Sequence, residues 1–344
     1  MQGPHQFGQK MGNGLITIKD LAKILGVSPS TVSRALKDHP DISTKTKKQV
    51  ADLAKKMRYE PNTIAVSLRG QKTKTLGVII PEFVHHFFST VISGIEEVAQ
   101  RAGYNVLLCS SNGSFDREVN VAKVLLSRRV DGLLICITKN SKNVRHLLEF
   151  KERGIPLVFF DCASESMQAD KVIIDDFKAA LVAVGHLVEQ GCKSIVYLGG
   201  PVSLLINQKR FEGYKNALKS ANLSFDKAMV YDVEEGSIEE GRQAARSFLT
   251  LSPRPDGLFA TADLLAIGAM TEIKKAGLRI PQDIAVVGFS NWEIAELYEP
   301  ALTSVLHPGK EMGARATELL LDRMDNLEGD PQTQVLETEL IIRA

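Results

Sequence analysis

Residues 16–36 constrain the fold more than any other part of the chain, because they read as two short helices joined by a tight turn. Thr17 is a hydroxyl N-cap ahead of an apolar stripe, and Gly26 can end this first helix because glycine adopts a positive φ without strain. Ser28 can cap the second helix, with Pro29 at its first position, where a missing N–H costs nothing. The segment therefore predicts a helix-turn-helix.

The second predicted helix has two different faces. Its inner face is apolar: Val32, Ala35 and Leu36. Its outer face is small, polar and cationic: Pro29, Ser30, Ser33 and Arg34. The major groove of DNA accepts a short helix with such an outer face, so DNA binding is the first hypothesis.

The charge is unevenly distributed, although the net charge of the 344 residues is only +1. Residues 15–72 contain 12 Lys and Arg against 5 Asp and Glu, so the remainder of the chain is acidic. A basic segment that coincides with a helix-turn-helix suits contact with phosphates. Taken alone, the charge would also fit a small domain that is basic by chance.

Length and composition narrow the class of protein further. The chain is long enough for two or three domains, and no segment is apolar enough to span a membrane. Its cysteines, Cys109, Cys136, Cys162 and Cys192, form no Cys-x-x-Cys pair, and no His lies at metal-ligand spacing from them. They are interpreted as small buried residues of a cytoplasmic protein, with no metal site and no cofactor. Residues 1–14 are expected to be a disordered extension or a cloning remnant.

The basic segment continues beyond the two helices. Ser43 can cap a third helix, which completes a predicted helix-turn-helix domain over residues 15–60. Residues 61–74 then predict a short hinge helix and a linker, with Asn62 as the cap and Gly70 at the end. A helix of two turns is unstable alone in water, so we expect the hinge to become ordered only when something packs against it.

From Leu76 onward, apolar strands alternate with amphipathic helices. The clearest strands are Leu76–Pro81, Tyr104–Cys109, Gly132–Ile137, Pro156–Phe160, Val172–Ile174, Ser194–Leu198, Gly257–Ala260 and Ile284–Phe289. This alternation predicts parallel sheets covered by helices, and the number of strands favours two lobes over one sheet. The expected fold is an all-α head joined to an α/β core of two doubly wound lobes, with a ligand cleft between them.

Ten short motifs in register resemble the LacI/GalR family of transcriptional regulators. They are TIKDLA (17–22), GVSPSTVSRAL (26–36), YEPN (59–62), SLR (67–69), TLGVIIP (75–81), VDGLL (130–134), GIPLV (154–158), RFEGY (210–214), ADLLAIGA (262–269) and PQDIAVVGF (281–289). The resemblance implies a homodimer on a palindromic double-stranded DNA operator and a core, residues 75–344, that resembles periplasmic binding proteins. The expected N-lobe comprises about 75–161 and 291–328, and the C-lobe about 162–290 and 329–344.

The resemblance also assigns DNA contacts. Base contacts fall on Pro29, Ser30 and Arg34, and backbone or minor-groove contacts on Thr17, Thr31, Ser33, Asn62, Leu68 and Arg69. Arg34 can pair with guanine in a bidentate manner, and its alternative role is a phosphate contact. Leu68 corresponds to an apolar wedge between base steps, and its alternative role is a contact between the two hinges.

The implied effector site comprises Phe87, Phe88, Asp161, Arg210, Ser290 and Asn291. One of the two phenylalanines could instead belong to a helix core, and Asp161 could instead cap a helix or link the lobes. Ser290 and Ala262 stand where many relatives have Asp and Asn, which removes groups that pair with sugar hydroxyls. Because Arg210 remains, a sugar acid or sugar derivative is the expected effector.

These observations favour a ligand-responsive repressor of a carbohydrate operon. The alternative is a solute-binding protein for a small sugar-like ligand, which would leave the basic head without a role. An enzyme is not expected, because the chain contains no Gly-x-Gly-x-x-Gly, Walker, Gly-x-Ser-x-Gly or His-Glu-x-x-His motif.

Overall fold

The structure is a computed structural model, and it describes residues 16–59, 72–83, 86–139, 141, 143–201 and 204–343. The chain divides into two compact units, residues 1–73 and 74–344. The expected hinge helix and residues 1–14 lie outside the described residues. No helix in the described ranges is both long enough and apolar enough to cross a membrane.

The described part of the first unit contains three helices: α1 (Ile18–Leu25), α2 (Pro29–Leu36) and α3 (Thr44–Lys56). Each begins at a hydroxyl cap. Thr17 forms a capping box with Asp20, Ser28 accepts from the Thr31 N–H at 3.1 Å, and Ser43 accepts from the Thr46 N–H at 3.2 Å. Gly26 ends α1 in the left-handed region, at φ 66°. The predicted helix-turn-helix is therefore confirmed down to its caps.

The three helices share a small core, formed by Leu21, Ala22, Val32, Ala35, Val50 and Ala54. Leu36 was expected in this core, but 38% of its surface is exposed, and this expectation is wrong. Leu36 shares the face of Val32, one helical turn earlier, but it is the last residue of α2 and lies at the end of the helix, where the small core covers less of it.

The second unit alternates strands and helices, as predicted. Its first part contains β1 (Thr75–Ile80), α4 (His86–Arg101), β2 (Asn105–Ser110), α5 (Phe115–Ser127), β3 (Gly132–Ile135), α6 (Arg145–Glu152), β4 (Leu157–Phe160) and β5 (Asp170–Ile174). Its second part contains α7 (Asp176–Glu189), β6 (Ile195–Gly199), α8 (Leu205–Ser220), β7 (Val230–Asp232), α9 (Ile238–Phe248), β8 (Gly257–Ala260), α10 (Asp263–Lys275), β9 (Ala285–Ser290), α11 (Glu293–Leu297) and β10 (Thr303–Leu306). The chain continues with α12 (Gly309–Asp325), β11 (Thr333–Leu336) and β12 (Glu339–Ile341).

Two six-stranded sheets form the two lobes. The first has the strand order β11-β5-β4-β3-β1-β2 and is parallel throughout, with Val78 beside Leu134 of β3 and Leu108 of β2. The second has the order β12-β10-β9-β8-β6-β7, and only β12 runs antiparallel to its neighbour among the described pairs. The doubly wound, two-lobed core predicted from the sequence is confirmed.

The lobe boundaries differ from the expected ones. The chain leaves the first sheet between β5 and α7, returns between β10 and α12, and crosses again between β11 and β12. The first lobe therefore extends to Ile174 rather than 161, because the chain turns at Asp161 (φ 58°) and adds β5 beside β4. The second lobe extends to Leu306 rather than 290, because β10 pairs with β9. The last crossing falls after Leu336 rather than at 328/329.

Helix α12 closes the first lobe by direct backbone contact with α4. A Cβ placed on Gly94 would lie 2.0 Å from the Lys310 carbonyl oxygen, and one on Gly313 would lie 2.0 Å from the Val91 carbonyl oxygen. The two glycines thus allow the helices to touch where any side chain would separate them. This contact fixes the segment just before α12, which forms part of the cleft.

Candidate functional site

The outer face of α2 presents the residues that the sequence assigns to base contacts. Pro29, Ser30 and Arg34 are all exposed, and Arg34 lies in the last turn of the helix. The Ser30 hydroxyl lies 2.7 Å from that of the cap residue Ser28. Arg34 is thus the one long donor among the three, and its guanidinium carries five N–H groups in a planar fork.

The expected backbone contacts are only partly described. Thr17 is exposed, and Thr31 and Ser33 are half-buried on α2. The hydroxyls of Thr17 and Thr31 already contact Asp20 at 2.6 Å and Ser28 at 2.8 Å as parts of the helix caps. Asn62, Leu68 and Arg69 lie outside the described residues, so their assignments remain predictions.

A cavity of about 240 Å³ lies between the two lobes of the core. Four of the predicted effector residues line it: Phe87, Phe88, Arg210 and Ser290. The phenylalanines come from the first turn of α4, and Phe88 is buried, which fits the expectation that one of the pair belongs partly to the core. Phe87 packs edge-on against Phe88 with ring centroids 5.3 Å apart. The first lobe thus supplies an aromatic wall.

Arg210 is held in the opposite wall by three contacts. Its Nε donates to Asp176 Oδ1 at 2.7 Å, its Nη1 donates to the Thr261 carbonyl at 3.1 Å, and its Cζ lies 3.8 Å from the centroid of the Phe289 ring. Its Nη2 donates to no acceptor in the described part of the chain. Burial raises the pKa of Asp176, while the Arg210 charge opposes that rise. The guanidinium is therefore preorganised, and its charge is balanced by Asp176.

Ser290 and Asn291 end β9 in unusual backbone conformations, with φ values of 109° and 49°. Both line a second cavity of about 280 Å³ that shares Phe87, Ser290 and His307 with the first one. The side-chain oxygen Oδ1 of Asn291 accepts from Arg343 Nη2 at 2.8 Å, so this end of the side chain is already occupied. His86 and Trp292 both line this second cavity, and their rings stack with centroids 5.3 Å apart.

Asp161 is buried at the end of β4 and lines neither cavity. Its Oδ1 lies 3.3 Å from Nε2 of His307, which does line both cavities. Burial and the nearby Asp176 charge raise the pKa of Asp161 to about 6, while burial lowers the pKa of His307 well below its usual value. Asp161 therefore supports the cleft from behind rather than facing a ligand directly.

The sequence reasoning missed several residues of the first cavity, among them Asn207, Thr261 and His307. Asn207 is buried on α8 and donates to the Pro201 carbonyl at 3.2 Å, Thr261 follows β8, and His307 stacks on Phe87 at 4.0 Å. Asn207 lies one helical turn before Arg210, and this spacing could have indicated it. His307 lies in a crossing between the lobes, and no local pattern marks such a position.

Two family profiles match the chain. Bacterial regulatory proteins, lacI family, matches residues 17–62, and the periplasmic binding protein-like domain matches residues 184–344. The HTH-type transcriptional repressor PurR of Vibrio vulnificus (strain CMCP6) is 32% identical over 331 residues, covering 96% of this chain and 98% of the relative. The chain belongs to the lacI family of bacterial regulatory proteins. The predicted family is confirmed, and it is a family of transcription regulators.

Solved lacI-family structures share the whole architecture. The lac repressor dimer bound to operator and the anti-inducer ONPF gives a TM-score of 0.84 at 25% identity, covering 96% of this chain and 98% of that one. A complex of the transcriptional regulator CelR with cellobiose gives a TM-score of 0.71 at 28% identity, covering 95% of this chain and 99% of that one. The helix-turn-helix and the two-lobed core therefore occur in the same arrangement along the chain in these regulators.

Proposed function

We propose that this lacI-family chain is a ligand-responsive repressor that binds a palindromic operator as a homodimer. The observation that carries the proposal is the combination, in one chain, of an exposed helix face around Arg34 and a cavity of about 240 Å³ between two lobes. An effector that binds the two forms of the lobes with different affinity changes the fraction of protein able to bind DNA. We infer the dimer and the operator from the structure of the lac repressor dimer bound to its operator, to which the chain is similar.

We further propose a sugar derivative as the effector. Phe87 supplies a flat apolar surface, and Asn207, Arg210 and Ser290 supply polar groups around the same cavity. Because Asp176 balances the charge of Arg210, the guanidinium offers a directed N–H donor more than a free positive charge. This arrangement suits a ring hydroxyl or carbonyl as well as the carboxylate of a sugar acid.

Two alternative functions, a solute-binding protein and an enzyme, are less well supported. A solute-binding protein would make no use of the capped helix-turn-helix, and the relatives with the widest coverage are transcriptional repressors. The same relatives make an enzyme the weaker hypothesis. Action on DNA inside the cell makes the cytoplasm the expected location.

Deletion and substitution test the DNA-binding part of the proposal. An operator is first selected from random palindromes with the full-length protein. Removal of residues 1–73 should abolish operator binding and leave effector binding intact. Arg34→Ala should weaken binding to the selected operator about 5- to 150-fold, because a bidentate base contact contributes about 1–3 kcal/mol. Lys48→Ala, on the exposed side of α3, is the matched control and should weaken all DNA sequences alike. Equal losses for the two variants on specific and random DNA would exclude base reading by Arg34.

A thermal-shift screen tests the effector. Sugars, sugar acids, sugar phosphates and purines are added to the purified full-length protein. A ligand at about 100 times its dissociation constant stabilises the folded state by about 2.7 kcal/mol, which gives a measurable shift. A response to sugar derivatives that Arg210→Met removes supports the proposal. A response confined to purines, or one that the Arg210→Met variant retains, refutes the proposed chemistry while leaving the repressor function open to the DNA test.

A further inference from the structure

Three side chains with metal-binding atoms meet behind the effector cavity, at the carboxyl ends of two neighbouring strands. We call them the β3–β4 cluster: Cys136, Asp161 and Cys162. His307 lies beside this cluster, with its Nε2 3.3 Å from Asp161 Oδ1. Cys136 follows β3, Asp161 and Cys162 follow β4, and His307 lies in the crossing between β10 and α12. All four residues are buried. The repressor function assigns no role to the two thiols.

Backbone geometry explains how consecutive residues reach one point. Successive side chains of an extended strand point to opposite faces. Asp161 instead has φ 58°, and this left-handed turn brings its carboxylate and the next thiol together. Cys162 Sγ lies 3.6 Å from Asp161 Oδ2, and Cys136 Sγ, from the neighbouring strand, lies 3.8 Å from the same oxygen. The cluster is thus a product of the turn at the end of β4.

The distances match the edges of a tetrahedral site. Zinc binds sulfur at about 2.3 Å and carboxylate oxygen at about 2.0–2.2 Å, so a tetrahedral angle separates the two ligand atoms by about 3.6 Å. The two Sγ–Oδ2 distances agree with this value, and all three donor atoms lie within 4.8 Å of one another. Neighbouring thiols and a carboxylate therefore already stand at nearly the spacing of a filled site.

Two unpaired atoms point to a missing partner. Asp161 Oδ1 and His307 Nε2 are buried, lie 3.3 Å apart and form no aligned hydrogen bond with any residue that the structure describes. A buried carboxylate oxygen without a partner is costly, and a cation bound to the same carboxylate would offset that cost. Thiolate and carboxylate, the donors of the cluster, are both ligands of zinc in proteins.

We propose that the β3–β4 cluster is a binding site for a divalent, thiophilic metal ion, with Zn²⁺ as the best match. Coordination replaces the two thiol protons, which pass to solvent, by two metal–sulfur bonds. The Asp161 carboxylate supplies the third bond through Oδ2, and a water molecule supplies the fourth. His307 contacts the other carboxylate oxygen and so positions Asp161. Because His307 also stacks on Phe87 at 4.0 Å, a bound metal fixes one wall of the effector cavity. The site is separate from the effector, so its test does not depend on the proposed function.

Cobalt provides the direct test, because thiolate coordination of Co²⁺ produces an intense sulfur-to-metal absorption in the near ultraviolet. Reduced, chelator-treated full-length protein is titrated with Co²⁺ and then with Zn²⁺. We expect one Co²⁺ per chain, displaced by Zn²⁺, with a tetrahedral visible spectrum. The absorption should fall by half or more in Cys136→Ser and in Cys162→Ser. His307→Ala should retain the sulfur absorption but bind Co²⁺ about tenfold or more weakly.

Two other cysteines provide matched controls. Cys192 is buried in the second lobe, and Cys109 is half-buried on β2. Cys192→Ser and Cys109→Ser should leave the cobalt spectrum unchanged. Absence of the absorption in the wild-type chain, or its persistence in Cys136→Ser and Cys162→Ser, would overturn the proposal.

A second measurement on the wild-type chain covers the case in which a cysteine variant fails to fold. Alkylation of each thiol is followed by mass spectrometry in moderate urea, with and without Zn²⁺. We expect Zn²⁺ to slow the alkylation of Cys136 and Cys162 at least about tenfold and to leave Cys109 unchanged, because a ligand that binds only the folded site suppresses its opening. Equal rates with and without Zn²⁺ at all thiols would also reject the site.

Discussion

Removal of the Arg210 charge should destabilise the core as well as disturb the effector site. Arg210 and Asp176 form an ion pair at 2.7 Å in which both side chains are only 8% exposed. Breaking a buried pair by removing one partner costs about 3–5 kcal/mol, because the other charge remains buried without compensation. Arg210→Met keeps an apolar side chain against Phe289, so the lost pair dominates the effect. Because Asp176 can take up a proton when its partner is absent, we expect a loss near the lower bound, about 3 kcal/mol.

Urea unfolding of the ligand-free, full-length protein at neutral pH measures this loss. The double variant Asp176→Asn/Arg210→Met separates stability from binding, because it removes the stranded carboxylate as well. It should be more stable than Arg210→Met by about 1–2 kcal/mol, although it carries one more substitution. Both variants should fail to respond to the effector, since both lack the N–H donor that faces the cavity.

Two results would refute this reasoning. A loss below about 1 kcal/mol for Arg210→Met would show that the pair contributes little and that Arg210 is retained for ligand contact alone. A double variant less stable than Arg210→Met would show that Asp176 has other favourable partners in the folded state. Recovery of stability together with recovery of effector response would exclude Arg210 from the binding site.

Three further predictions concern the scaffold around the site. Gly94→Ala should destabilise the core by about 3 kcal/mol or more, because the new Cβ would lie 2.0 Å from the Lys310 carbonyl oxygen. Gly185→Ala in α7 should instead stabilise the core by about 0.5–1 kcal/mol in the same urea assay, because a Cβ there meets nothing within 4 Å. Burial raises the pKa of Asp263 to about 6, above its ordinary value of 3.8, so its contribution to stability is complete below pH 3.8 and is lost as the pH rises through about 6. Asp263→Asn should therefore flatten the dependence of the unfolding free energy on pH by up to about 3 kcal/mol across this window. An unchanged slope would contradict the shift. Gly26→Ala should lower the unfolding free energy of the helix-turn-helix by about 1–2 kcal/mol through backbone strain alone, because φ is 66° and no atom lies within 4 Å of the new Cβ. The variant should then lose operator binding at a lower temperature than the wild type.

Local chemistry in the sequence was enough to predict the head. The caps at Thr17, Ser28 and Ser43 and the turn at Gly26 each depend on residues within four positions of one another. Such interactions are complete within one or two turns of helix, so they can be read without a fold. Leu36 was misassigned because its position on the apolar face can be read from the sequence, whereas the extent to which neighbouring helices cover the end of α2 cannot.

The alternation of strands and helices likewise predicted two doubly wound lobes, but not where the chain passes between them. Strands β7, β10, β11 and β12 are short and include polar residues, so they lack the continuous apolar run that marks the equally short β3, β4 and β8. Their sheet membership depends on which edge is available for pairing, and this is decided only when the sheets form. The expected boundaries at 161 and 290 consequently moved to the crossings after β5 and β10.

The candidate effector site also contains some residues that could be assigned from the sequence and others that only the structure brings together. The family resemblance carried by the sequence motifs assigned Phe87, Arg210 and Ser290 to the cleft, and all three line the first cavity. Only the tertiary structure decided that Asp161 turns away from that cleft toward Cys136 and that His307 meets it there. These contacts join residues from separate strands and from a crossing between the lobes. Their spacing along the chain could not predict these contacts, since only the packing of the two lobes makes the residues adjacent.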